Sequence, residues 1–199
     1  MAITAMMMIV AAGISAQPAS AVQGAIRKVP VCMQGAVIFG ASEAQQRATQ
    51  MFSTAGVRLE WHTGLEHGAC PAGAIQISLT SRTESNLRAG VLAYALPYEG
   101  THVRVFYDRI CQLVPGPEAP ILLAHVLAHE ITHILQGISR HSETGLMKAR
   151  WDWHDFDEMA HKPLAFNEED IVLIHLGLAA RAAGAMMAQN TAPAAVAAR

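Results

Sequence analysis

The sequence predicts an α+β domain: a small mixed β-sheet with an N-terminal helix, a histidine-bearing helix and a C-terminal helix. Three observations carry this. Short apolar-polar alternations recur at 57–61, 75–79 and 103–107, the period of half-buried strands. Longer segments at 43–55, 119–136 and 171–183 repeat their apolar residues at helical spacing. Their order is strand, helix, several strands, helix, loop, helix, which suits a small mixed sheet.

Taken in turn, residues 29–40, VPVCMQGAVIFG, read as a first strand or a short hairpin. Ser42 to Gln45 resembles a capping box, and Ala44, Ala48, Met51, Phe52 and Ala55 follow on one helical face before Gly56. Val57–Trp61 and Ile75–Leu79 alternate as strands. Residues 91–96, VLAYAL, stop at Pro97 and suit a short or edge strand, because proline removes a ladder donor. Val103, Val105 and Tyr107 alternate in a further strand. A PGPEAP turn leads into a helix from Ala119 to Gln136, followed by a loop to Pro163. Asn167 with Asp170 reads as a helix cap, its acidic residues at the positive dipole end. The helix then continues to about Ala183.

With 52% hydrophobic and 15% charged residues, the 199-residue chain is globular and long enough for one cored domain. A net charge of −2 argues against a nucleic-acid partner and against electrostatic membrane docking. The first stretch, MAITAMMMIVAAGISAQPASA, is an apolar run ending in Ala19-Ser20-Ala21, a small-x-small cleavage site. It reads as an export signal over 1–21, although no Lys or Arg precedes the apolar run, and an N-terminal anchor is the alternative. The expected organisation is then a signal at 1–21, a single domain at 22–183 and an Ala-rich flexible tail at 184–199. The product would be secreted or periplasmic and free of the membrane after cleavage. In that setting Cys32, Cys70 and Cys111 fit one disulfide and one odd thiol, with the pairing open.

The densest chemistry lies in HEITHILQGISRHSETGLM, His129 to Met147. On a helical wheel His125 and His133 fall ~40° to either side of His129, while Leu123, Leu127, Ile131, Ile134 and Leu135 lie opposite. His129 and His133, at i and i+4, can direct neutral imidazole nitrogens to one Zn²⁺. Glu130 stands about a quarter turn round, where its carboxylate can take a proton from a zinc-activated water. A catalytic zinc needs a third protein ligand. Gly137 can end the helix in a left-handed conformation and turn the chain so that His141 returns to the metal. Glu143 and Glu168 compete for the same role.

These residues resemble the metzincin clan of zinc peptidases, whose pattern is H-E-x-x-H-x-x-G-x-x-H followed by a methionine turn. His129, Glu130, His133, Gly137 and His141 match in order, Ser142 follows as in matrixin-like members, and Gly145-Leu146-Met147 matches the turn. HSETGLMKARW with the later LAFNEED also resembles small exported bacterial members. The spacing departs from the pattern: glycine comes one residue late and His141 one residue further still, adding two residues between ligands.

The resemblance implies one catalytic zinc held by His129, His133 and His141, Glu130 as general base and then proton donor, and Met147 as an apolar floor. It implies hydrolysis of peptide bonds in a protein or peptide substrate lying along an edge strand, Leu92 to Leu96 being the candidate. It also raises Cys32 as a latency cap on the metal, as a propeptide cysteine is in matrixins. The alternative function is a non-catalytic zinc-binding module acting through a protein partner, with His154 or Glu143 closing the coordination sphere. His125 is expected to pack or hydrogen-bond rather than ligate, Trp151 and Trp153 to wall the pocket or shield it, and His154 and His161 to lie at the surface. Substrate, cleavage specificity and oligomeric state are open at this stage.

Overall fold

Five strands form one sheet in the computed structural model, which describes residues 26–35, 38–64, 70–83 and 90–191, with side chains as far as 187. They are β1 (Arg27–Gly35), β2 (Val57–Thr63), β3 (Ile75–Thr80), β4 (Ala93–Leu96) and β5 (His102–Phe106), in the order β2-β1-β3-β5-β4. β1 pairs in parallel with β2 and β3, and β3 with β5; only β4 runs antiparallel, on the outer side of β5. The sheet is therefore mixed, and the fold is α+β as the sequence predicts. The central strands bury Val29, Val31, Ile75, Ile77, Val103 and Val105.

The helices are α1 (Ala41–Thr54), α2 (Tyr107–Leu113), α3 (Ala119–Gln136), α4 (Trp153–His161) and α5 (Glu168–Thr191), with a short 3₁₀ turn at Gly116–Glu118. α1 packs on α3 and β2, and α3 packs on β4, β5 and α5. All of α3 except Ile121 is buried. The imidazole face, set opposite the apolar stripe on the wheel, is thus covered as well. α5 crosses α3 so closely at Gly177 that an added Cβ would stand 1.7 Å from the Leu135 carbonyl oxygen.

Several local expectations are corrected. Residues 29–40 do not make a hairpin: β1 ends at Gly35. Ser42 does not cap α1; it lies inside the helix, and Gly40 holds the cap position at φ 76° with no side-chain bond. A Cβ on Gly40 would meet Pro120 at 2.2 Å, so packing against the start of α3 governs this end. Tyr107 starts α2 rather than closing a strand. The span to Pro163 is not all loop, since Asp152 and Asp155 form a reciprocal capping box that starts α4. The Asn167–Asp170 cap is present, with Asp170 N–H donating to Asn167 Oδ1 at 2.7 Å and Asn167 N–H to Asp170 Oδ2 at 3.2 Å. α5 continues past Ala183 to Thr191. The segment 1–21, expected to be an export signal, and residues 192–199 lie outside the described residues.

Cys32 is bonded to Cys70, tying β1 to the segment entering β3, and Cys111 is free. Cys32 is fully buried in that bond, which removes it as a latency cap.

Candidate metal centre and cleft

The last two turns of α3 present His129 and His133 side by side. His129 Nδ1–H donates to the Leu146 carbonyl at 2.9 Å, and His133 Nδ1–H donates to the Ile138 carbonyl at 3.1 Å. A carbonyl only accepts, so each bond fixes the proton on Nδ1 and leaves a lone pair on Nε2. The two Nε2 atoms lie 3.1 Å apart. Two lone pairs at that distance repel unless a cation sits between them, and tetrahedral zinc with Zn–N near 2 Å spaces its ligands by roughly 3.3 Å.

Gly137 ends the helix at φ 71°, its N–H bonded back to the His133 carbonyl at 2.9 Å. That left-handed residue costs glycine nothing and reverses the chain. The turn returns His141, whose ring centroid lies 5.3 Å from that of His129 and 4.9 Å from that of His133. One ligand atom from each of the three histidines lies within 4.8 Å of the others. Among the described residues, His129, His133 and His141 are the only cluster able to hold a metal ion. Glu143, Glu168 and His154 are not in it. The donor set suits zinc: three imidazoles of which two are locked in the ligating tautomer.

Burial pushes all three imidazoles below the ordinary histidine range, His129 to about 3 and His133 to about 4, so they stay neutral at pH 7. Neutral rings are what a metal requires. Burial also pushes the Glu130 carboxyl up to about 8, partly offset by a hydrogen bond from the Ala95 N–H of β4. The cleft floor thus carries a carboxyl group inclined to hold a proton beside three proton-free nitrogens.

Met147 is fully buried, and its carbonyl accepts from the Ser142 N–H at 2.8 Å. Leu146 N–H bonds to the Ala165 carbonyl at 2.9 Å. The Gly145–Met147 turn is held on both sides, and its Leu146 carbonyl in turn orients His129. His129, Glu130, His133 and His141 all line one cleft of about 620 Å³, together with Leu92, Ala95, Trp151 and Phe156. One wall is β4, whose outer side pairs with no other strand among the described residues. The expected edge segment Leu92–Leu96 therefore borders the histidine cluster.

The remaining expectations separate cleanly. His125 bonds through Nδ1–H to the Ile121 carbonyl and accepts the Leu164 N–H on Nε2 at 3.1 Å, a bridge from α3 to the segment before α5. Trp151 packs edge-on against His129 with centroids 5.5 Å apart. Trp153 is 70% exposed and stacks with His154 outside the cleft. His161 is exposed and bonds to the Asp157 carbonyl. The sequence reading missed the Leu146 and Ile138 carbonyls and the Ala95 N–H. Backbone groups carry no side-chain signature, so no residue type could have marked them.

The fold is similar to that of archaemetzincin from Methanopyrus kandleri, with a TM-score of 0.56 at 18% sequence identity. The alignment covers 76% of this chain and 96% of that one. At this identity the likeness establishes the architecture. No protein-family model and no curated protein matches the sequence.

Proposed function

We propose that the chain is an exported zinc-dependent metalloendopeptidase of metzincin type. The observation that carries this is the convergence of His129, His133 and His141 on one point in a cleft that also holds Glu130. The archaemetzincin-like fold supports it. The Cys32–Cys70 disulfide accords with an oxidising compartment, as does the apolar leader over 1–21.

In this reading His129, His133 and His141 hold one zinc ion. When bound, zinc polarises the scissile carbonyl and makes a water acidic enough to give up its proton near neutral pH. Glu130 takes that proton and then delivers it to the leaving amine. Extended substrate pairs with the free side of β4, which places its backbone along the histidine row. The leader is removed at export, the domain begins at residue 22 and closes with α5, which runs to Thr191, and the partner is a protein or peptide substrate.

Glu130→Gln is the direct test. It keeps the ligand set and the shape of the side chain but removes the base, so zinc content should stay near one equivalent while cleavage of a casein or peptide-library substrate falls by about 10³-fold or more. General acid–base catalysis alone accounts for about 10²–10⁴-fold. Cleavage at the parental rate would exclude Glu130 as the base. Zinc retained with no cleavage by the parent protein, under any chelator or metal condition, would favour the non-catalytic zinc module.

A further inference from the structure

The three histidines are not held alike. His129 and His133 are buried on a helix, and each is aimed by its own Nδ1 bond to a carbonyl. His141 sits on an exposed loop, and among the described residues no hydrogen bond holds its ring. Its sequence neighbours are anchored instead. Ser142 Oγ–H donates to Asp170 Oδ1 at 2.7 Å, and Arg140 Nη1 donates to the same oxygen at 3.0 Å. Arg140 also pairs with Glu169 and reaches Ser142 Oγ at 3.3 Å. Asp170 is 0% exposed, and its other oxygen accepts the Asn167 N–H at 3.2 Å.

A fully buried carboxylate is stable only when its lone pairs are satisfied, so Asp170 has discrete rather than adaptable partners. Those partners are the residues immediately before and after His141. The loop is thereby pinned to the first turn of α5 at two points that bracket the histidine. The Ser142 N–H bond to the Met147 carbonyl adds a third restraint from the methionine turn.

We propose that Asp170 is the positioning residue for the third metal ligand: through Arg140 and Ser142 it holds His141 within reach of His129 and His133, and so sets the affinity of the site. This rests on reading the histidine cluster as a zinc site. It also gives a role to the two residues added between the second and third histidines. A longer loop has more conformations to lose, and a charged clamp across it offsets that cost.

The test compares two kinds of variant by zinc affinity, measured by competition with a chromophoric chelator, and by the melting temperature of the metal-free protein. Ser142→Ala, Arg140→Ala and Asp170→Asn each loosen the clamp. Asn167→Ala removes the helix cap and leaves both clamp bonds in place. The clamp variants should bind zinc about 10–100-fold more weakly, the usual cost of losing a group that orients a ligand. Asn167→Ala should melt lower yet bind zinc like the parent. Cobalt-substituted Ser142→Ala should show weaker visible absorption as one imidazole leaves the coordination sphere, and Ser142→Thr should restore it. Should Asp170→Asn fail to fold, Ser142→Ala and Arg140→Ala still decide the matter. Parental zinc affinity in both would overturn the proposal, as would a loss that Asn167→Ala shares. A parent protein that binds no zinc would overturn this inference and the proposed function together; tight zinc without proteolysis would sink only the latter.

Discussion

His125 shows how a residue that looks like a fourth member of the imidazole row serves another purpose. Both of its nitrogens are used, one donating to Ile121 and one accepting from Leu164. Burial lowers its pKa to about 4. A histidine with a depressed folded-state pKa leaves the unfolded chain with more bound protons between pH 6.5 and 4, so stability is lost as pH falls through that window. The loss from this one residue is of order 2–3 kcal/mol at pH 4.5. Urea unfolding of the metal-free protein checks it. His125→Gln should be less stable than the parent at pH 7.5, by about 1–3 kcal/mol if the Leu164 N–H loses its partner. The gap should narrow at pH 4.5, because glutamine does not titrate. An unchanged gap would show that His125 is not the buried neutral group described. The convergence of His129, His133 and His141, with Glu130 in the same cleft, was readable at this scale because spacing and a helix-stopping glycine bring them together. Asp170 was readable only as part of a helix cap. Its bonds to Arg140 and Ser142 span 30 and 28 residues, and no local pattern encodes a contact that distant.

Among the elements, α3 could be read to its last residue. It has a proline in its first turn, a continuous 3.6 period and a glycine after Gln136, so start, face and stop agree. α4 was hidden because it has one turn of apolar residues at most, burying only Met159. Its signal was polar, the Asp152–Asp155 box, which apolar periodicity does not register. α2 was hidden because Tyr107 prolongs the alternation of β5. The strands were visible one by one, but their order was not: the parallel crossovers that place β1 between β2 and β3 depend on helix packing, not on the strands' own residues. The contact between α3 and α5 yields a prediction at this scale. Gly177→Ala would drive a methyl group into the Leu135 carbonyl and force the helices apart. The expected cost is about 3 kcal/mol, at the upper end for overpacking, or a melting temperature lower by about 10 °C. A melting temperature within about 2 °C of the parent would show that α5 is free to shift.

For the molecule as a whole, the Cys32–Cys70 bond closes a stretch with a sequence separation of 38 that includes α1 and β2. Loop-closure entropy for that length corresponds to about 4 kcal/mol, and removal of native disulfides from small exported domains costs about 2–5. Replacing both cysteines with serine should therefore lower the unfolding free energy by that order, while zinc affinity stays at the parental value, because the bond joins β1 to the entry of β3 and none of its residues lines the cleft. A large loss of zinc binding in the folded double variant would mean that the two halves of the fold are coupled more tightly than their contacts indicate. The edge strand bordering the histidines has a last consequence. β4 offers only four residues for pairing, a span of roughly 14 Å at strand rise. On the proposed reading, a guest polypeptide would have to straighten over that distance before lying down there, which compact folded partners resist. Under that reading, unstructured tails, linkers and already damaged proteins would meet the requirement without prior unfolding.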